Sequence, residues 1–505
     1  MKRDEITLVG SLASCVSCGA EELQKLSRKV DCLEIRADLA GEIDPDWLRN
    51  SFSKKLLYSL RKRQSGGAYT GPIAERDARL MAASAAYDFV ELEADDCSSA
   101  LLPAVPVEKR MISWYGDASS VGELLERFAQ ISRHPARFYK LALRAGADSG
   151  LLPLSLLKSL RRSDVVAFCE GAPGFWSRLV APKFGAPLVY ASVDKLTSTA
   201  EPNVDQLITD YAFPKIRPLF KLYGIVGNPV FQSSSPRLHN AAYRKLGVPA
   251  LFVPFQVECF ERFWRDMVES QQLESLGIPL HGLTIVSPYK EAALRVATTS
   301  SPMVQHTGST NIFVRTGSAW QADTTDPESV LTTTRERGIA VFPKKAAVIG
   351  CGGAGRAVAA ALQQAGADVT IVNRGKERAD KAVKLLGLPF VPLSKFSAQG
   401  FSLLVNATPI GRDESKLPFE IHALNDDAVV VDLAYGLKPT PLVTDAVAQG
   451  HTVIDGHDVL MSQVRRQFKM MVGREMPEMP VGEKSNNRNG KARTSSTMEV
   501  ATAGD

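Results

Sequence analysis

The chain has 505 residues and a net charge of +5, from 60 Lys and Arg against 55 Asp and Glu. A balance this close to neutral gives no support to nucleic-acid or membrane-surface binding, although it suits small anionic substrates. No apolar run reaches the roughly 18 residues that a membrane span requires, and the length allows about three domains.

Seven cysteines, sparse and odd in number, point to a reducing, cytoplasmic setting. Cys15 and Cys18 have C-x-x-C spacing but lack a second pair and a nearby histidine, so they read as ordinary thiols and no metal is expected. The start could imitate a secretion signal, but Asp4 and Glu5 spoil its basic region, and "ITLVGSL" reads equally well as a first strand.

Residues 1–215 alternate strand-like and helix-like segments. The strands are "ITLVGSL", "VDCLEIRAD", "KLLYSLR", "DFVELEAD", "RMISWY", "RFYKLAL", "VVAFCEG" and "PLVYASVD"; patterns such as "AEELQKLSRKV" and "VGELLERFAQIS" fall between them. Eight strands with intervening helices predict an α/β unit of the parallel (β/α)8 barrel type. Barrel chemistry sits at the C-terminal strand ends. Glu34 and Arg36 share a face there, Arg61 ends the third strand, and Glu91 and Glu93 end the fourth. Lys140 interrupts the apolar run of the sixth strand, where a buried ammonium is costly unless something uses it. A rim of salt bridges, or a lysine snorkelling out of the barrel, accounts for any one of these residues but poorly for the group.

A second unit of mixed strands and helices is expected over 221–330, with a return helix near 456–475. A third, over 342–455, opens with "AAVIG" and an Ala-rich helix around Gly350, Gly352, Gly353, Ala354 and Gly355. G-x-G-x-x-G between a strand and a helix predicts a Rossmann dinucleotide site. The next strand ends in Asn373 and Arg374, followed by Lys376 and Arg378, where an NAD enzyme usually carries an acid. These cations favour NADP(H), whose 2′-phosphate they attract. Residues 476–505 lack periodicity and read as a disordered tail.

Several motifs of the middle and C-terminal segments, over 221–475, resemble shikimate dehydrogenase. "GNPVFQSSSPRLHNAAY" matches the substrate loop and implies Ser233 and Ser235 on the substrate carboxylate. "GLTIVSPYKEAA" places the catalytic lysine at Lys290, "GSTNIF" the substrate-binding asparagine at Asn311, and "ADTTDPESV" the catalytic aspartate at Asp326. "VNATPIG", "VVDLAYG" and "IDGHDVLMSQVRRQF" supply Asn406 at the cofactor and Tyr435 and Gln463 at the substrate. Val286 and Thr324 depart from the usual threonine and asparagine. The resemblance implies NADPH-dependent, reversible reduction of 3-dehydroshikimate to shikimate.

The first half resembles type I 3-dehydroquinate dehydratase. "FYKLAL" places its Schiff-base lysine at Lys140; "DCLEIRADL", "YSLRKRQSGG" and "GFWSRLVAPKFG" place substrate-binding residues at Glu34, Arg36, Arg61 and Arg178. The resemblance implies dehydration of 3-dehydroquinate through an imine. Tyr115 stands at the position of the family's catalytic histidine, Ser65 replaces an acid, and Thr197 and Glu201 replace a late Ser and Gln. The expectation is a bifunctional shikimate-pathway enzyme acting on small molecules, with no nucleic-acid or membrane partner. Two other readings stand beside it: a working reductase joined to a weak or inactive barrel, and a non-catalytic NADP- or metabolite-sensing protein on a borrowed fold.

Overall fold

A computed structural model describes residues 6–14, 19–96, 100–144, 150–193, 201–215, 218–231, 233–342, 344–412, 414–436 and 438–478. Cys15, Cys18, Thr197 and the tail from residue 479 lie outside the described residues. Three sheets organise the chain.

The first sheet is built of β1 (Thr7–Leu12), β2 (Cys32–Arg36), β3 (Lys55–Ser59), β4 (Phe89–Glu93), β5 (Arg110–Gly116), β6 (Phe138–Leu143), β7 (Val165–Cys169) and β8 (Leu188–Ser192). All paired strands are parallel, in the order β7-β6-β5-β4-β3-β2-β1-β8, so the apolar runs close into the expected (β/α)8 barrel. Val9, Leu57, Met111, Phe138, Val166 and Leu188 fill its interior. The helices between the strands cover the outward-facing residues.

One seam departs from a regular barrel: no ladder joins β7 to β8 among the described residues. On the other side of β8, Thr7 N donates to Pro187 O and Val193 N donates to Ser11 O. By alternation, Tyr190 O faces the open seam. The Arg178 guanidinium, carried by the Gly171–Val180 helix, donates to that carbonyl at 3.2 Å and satisfies it.

The second sheet runs β10-β9-β11-β13-β14-β12, with β9 (Lys221–Gly227), β10 (Ala250–Gln256), β11 (Leu280–Ile285), β12 (Thr299–Ser300), β13 (Ile312–Thr316) and β14 (Ala319–Asp323). The third is wholly parallel and runs β17-β16-β15-β18-β19-β20, with β15 (Lys345–Ile349), β16 (Asp368–Asn373), β17 (Phe390–Pro392), β18 (Leu403–Asn406), β19 (Val429–Asp432) and β20 (Thr452–Ile454). The Asp326–Glu336 helix leads from the second sheet to the third, and the Gly456–Val472 helix returns. The return is anchored where Tyr223 OH donates to Met471 O and Thr284 Oγ1 donates to Gln467 Oε1.

Barrel and second sheet share one apolar cluster. Phe175 meets Phe231 with ring centroids 4.6 Å apart, and Trp176 meets Phe255 at 5.5 Å. No helix among the described residues is long and apolar enough to cross a membrane.

Candidate active sites

Lys140 is the third residue of β6 and is only 1% exposed. Its Nζ lies 3.4 Å from Glu91 Oε1, 3.9 Å from Glu34 Oε1 and 4.2 Å from the centre of the Tyr190 ring. Arg61 donates to Glu34 at 2.9 Å and meets Glu91 at 3.4 Å. Two buried carboxylates and two buried cations thus balance, which is the condition for carrying such charges out of water. Ser59 Oγ stands between the carboxylates, 2.8 Å from Glu34 Oε1 and 2.5 Å from Glu91 Oε2, with one proton to give. Ser11 donates to the far oxygen of Glu34.

These neighbours tune one another. Burial alone would raise the Glu34 carboxyl, but the charges of Arg61 and Lys140 outweigh it and hold the group at about 2. Glu91 follows the same logic and stays well below the usual carboxylate range. Burial pushes the Lys140 ammonium down, and Arg61 adds to the push against Glu91 and Glu34. A depressed lysine offers more of the neutral amine, the nucleophilic form.

Lys140 opens onto a cavity of about 120 Å³ at the C-terminal strand ends, with Arg36, Arg61, Arg178, Glu170, Tyr190 and Glu201 among its walls. Arg36 is held by a two-pronged pair with Asp38, at 3.0 and 2.7 Å. Arg178 reaches Glu201 at 3.5 Å, so an incoming carboxylate competes with Glu201 for that guanidinium. Tyr115 donates its hydroxyl to Glu91, and Ser65 bonds Glu93. Sequence reasoning missed Ser11, Ser59 and Glu170. Ser11 and Ser59 are polar residues late in otherwise apolar runs, and that was their only signal.

The second lysine is arranged differently. Lys290 follows β11, and its Nζ donates to Asp326 Oδ2 at 2.6 Å. Asp326 opens the helix that leaves the second sheet and is buried. Its other oxygen accepts from Asn311 Nδ2 at 3.0 Å and from Gln463 Nε2 at 2.7 Å. Thr325 N donates back to Asn311 Oδ1 at 2.8 Å, and Gln467 Nε2 donates to Thr325 Oγ1 at 3.2 Å. Ser233 Oγ accepts from Ser235 N at 3.2 Å, and the Ser233 side chain bonds Tyr435 in the loop after β19. Val286 packs on Gly227, and Thr324 Oγ1 is buried without a hydrogen-bond partner.

The glycine loop abuts this pair. Gly350 has φ +108°, and Gly355 sits so close to it that a Cβ would stand 1.9 Å from Gly350 O. A Cβ on Gly353 would meet Lys290 Cβ at 3.0 Å, whereas Gly352, with Ala354 beside it, faces open space. Asn373 donates to Gly375 O at 2.7 Å and accepts from Cys351 N. Asn406 is spent inside the protein, donating to Asp432 at 2.9 Å and accepting from Thr408 Oγ1 at 2.6 Å, so it shapes the loop after β18. Arg374, Lys376 and Arg378 are exposed and make no ion pair among the described residues. Arg356, which sequence reasoning also missed, lies in the Gly353–Gln364 helix. It is buried, bonding Thr307 O, Gly308 O, Cys351 O and Glu291, and so ties the glycine loop to the segment carrying Lys290.

Three family models cover this architecture: type I 3-dehydroquinase over residues 12–217, the shikimate dehydrogenase substrate binding domain over 225–313, and ketopantoate reductase PanE/ApbA over 346–456. A shikimate dehydrogenase (NADP(+)) of Halobacterium salinarum is 34% identical over 259 residues, spanning 51% of this chain and 95% of that protein. The chain belongs to the shikimate dehydrogenase family. Ahead of its shikimate dehydrogenase unit it carries a type I 3-dehydroquinase barrel. The same order occurs in the chloroplastic bifunctional 3-dehydroquinate dehydratase/shikimate dehydrogenase of Arabidopsis thaliana, 26% identical over 485 residues, or 89% of this chain and 78% of that one. Among solved structures, the shikimate 5-dehydrogenase of Thermus thermophilus in complex with NADP(H) and shikimate is 31% identical. The match has a TM-score of 0.46 and covers 51% of this chain and 95% of that chain.

Proposed function

We infer that the chain catalyses two consecutive steps: dehydration of 3-dehydroquinate in the barrel, and NADPH-dependent, reversible reduction of the resulting 3-dehydroshikimate to shikimate. The division is the barrel over 1–215, the substrate unit over 221–330 with the return helix, and the nucleotide unit over 342–455. The observation that carries the reductase half of the reading is the closeness of Gly353 to Lys290, where a Cβ on the glycine would stand 3.0 Å from Lys290 Cβ, so that the dinucleotide loop lies against an acid/base pair.

The residues present fit a phosphorylated dinucleotide. Gly352 leaves the helix N-terminus open for a pyrophosphate, and Arg374, Lys376 and Arg378 supply unpaired cations where a ribose carboxylate is absent. When bound, NADPH supplies the hydride. Lys290 Nζ gives a proton to the ketone oxygen in the reductive direction and recovers it in reverse. Asn311 and Gln463 hold one oxygen of Asp326, so the other stays on Lys290 and fixes the ammonium. Ser233 and Ser235 orient the substrate carboxylate, and Tyr435 reaches Ser233 from the loop after β19.

In the barrel, the Lys140 amine attacks the ketone and expels water to form an imine, which acidifies the neighbouring carbon. Loss of that proton and of a hydroxyl group gives the enone, and hydrolysis frees the lysine. Arg36, Arg61 and Arg178 suit an anionic substrate. Free Cys32, Cys169, Cys259 and Cys351 suit a reducing cytoplasm. A second reading, a barrel that forms the imine but dehydrates slowly, is favoured by Tyr115. Shikimate-dependent NADP reduction by wild type and Lys290→Ala tests the reductase; equal rates would overturn the assignment. Borohydride trapping with 3-dehydroquinate tests the barrel.

A further inference from the structure

We propose that Glu170 is the proton carrier of the barrel: its carboxylate takes the proton from the carbon beside the Lys140 imine and hands it to the departing hydroxyl group. This rests on the dehydratase reading above. Elimination over an imine needs one group that can both accept and return a proton beside the reacting carbon.

The other candidates are excluded by where they stand. His134, the one histidine in residues 1–215, precedes β6. It therefore lies at the barrel end opposite the cavity, whose walls include Ser11, Glu170 and Ser192 at the far ends of β1, β7 and β8. Tyr115 has its ring centre 5.3 Å from Lys140 Nζ, but it is not a wall of the cavity and its hydroxyl is engaged by Glu91. Burial pushes that phenol well above its usual range; Arg61 opposes this, and Glu91 and Glu34 reinforce it. A phenol kept protonated donates and does not abstract. Glu34 and Glu91 lie behind Lys140 and are held as weakly basic carboxylates by Arg61 and Lys140. Glu201 lines the cavity but is paired with Arg178.

Glu170 remains. It directly follows β7, and its backbone N donates to Leu143 O at 2.8 Å, which pins it against the end of the lysine strand. It lines the same cavity as Lys140 and Arg61 and is only partly exposed. Its side chain does not cap the Gly171–Val180 helix, although it holds the N-cap position. Among the described residues that carboxylate has no hydrogen bond or ion pair of its own; the charge it faces across the cavity is the Arg61 guanidinium, with which it interacts through space.

The step balances without any co-reactant. The C–H pair becomes the enamine π bond as Glu170 gains the proton. The C–O bond then breaks, its oxygen takes that proton, and water leaves as the conjugated double bond forms. Glu170 ends as it began.

The test uses the full chain with 3-dehydroquinate, following dehydration rate, borohydride-stable mass on Lys140, and shikimate-dependent NADP reduction as the folding control. Glu170→Gln is expected to keep the adduct and the control and to lose about 10²- to 10⁴-fold in dehydration. The wild-type pH profile should lack a limb near the ordinary imidazole value of about 6.5, and Glu170→His should gain one. Glu170→Gln with the wild-type rate and profile would overturn the proposal, as would equal loss of adduct and turnover with the control intact. A wild type that dehydrates beside an unaffected Glu170→Gln removes only the role of Glu170. A wild type that neither traps nor dehydrates overturns the dehydratase reading and this proposal with it.

Discussion

Two lysines in one chain show how burial and partners suit the same side chain to different chemistry. Lys140 is 1% exposed, faces two carboxylates at 3.4 and 3.9 Å, and is pushed down by burial and by Arg61. Lys290 is 17% exposed in its side chain and has a single short bond, 2.6 Å, to Asp326. In the proposed mechanism the first environment loosens a proton so that nitrogen can attack carbon, and the second holds its nitrogen at a fixed place to give a proton and take it back.

The sharpest way to break this contrast is to remove each amine in turn. Lys140→Ala should abolish the borohydride-stable adduct and lower dehydration by at least about 10⁴-fold, as expected when a nucleophile is deleted, while shikimate oxidation stays within about twofold. Lys290→Ala should lower shikimate oxidation by about 10²- to 10⁴-fold and leave trapping at Lys140 intact. Cross-effects in either direction would mean that the two sites do not act separately.

Acid should separate them next. Glu34 is held at about 2 because Arg61 and Lys140 outweigh its burial. A carboxyl depressed in the folded state stabilises above its unfolded value of about 4.3, and that stabilisation is lost as pH falls toward 2. The unfolding free energy from urea titrations should therefore fall by about 2 kcal/mol between about pH 6 and pH 3 through Glu34 alone, with Glu91 adding to the slope, and the Glu34 share should vanish in Glu34→Gln. A slope unchanged by the substitution would contradict the buried cluster. The smallest effect concerns the cofactor: Arg374→Ala or Arg378→Ala should raise KM for NADP by about 10- to 150-fold, the loss of one charged hydrogen bond of about 1.5–3 kcal/mol, with KM for NAD hardly moved.

Much of this was legible in the sequence because the signals were local. Each barrel strand is a short apolar run, and Lys140 stands out as the charge inside one of them. The glycine loop follows a strand and opens a helix, so its context could be read directly. What stayed hidden depends on distant segments meeting. The β7–β8 seam is set by Arg178 reaching Tyr190 O from a helix. Arg356 carries no local signal until the glycine loop and the 307–308 turn close around it. Ser59 gains its place only when β2 and β4 bring two carboxylates to it. Asn406 matches a cofactor motif, yet its amide is consumed by Asp432 and Thr408.

The most direct measurement gives the full chain 3-dehydroquinate and NADPH together and follows the enone and NADPH absorbances separately. Two linked sites predict that enone forms first and NADPH is then consumed, the first signal lost in Lys140→Ala and the second in Lys290→Ala. Enone formation that survives Lys140→Ala, or NADPH consumption that survives Lys290→Ala when 3-dehydroshikimate is supplied, would contradict it.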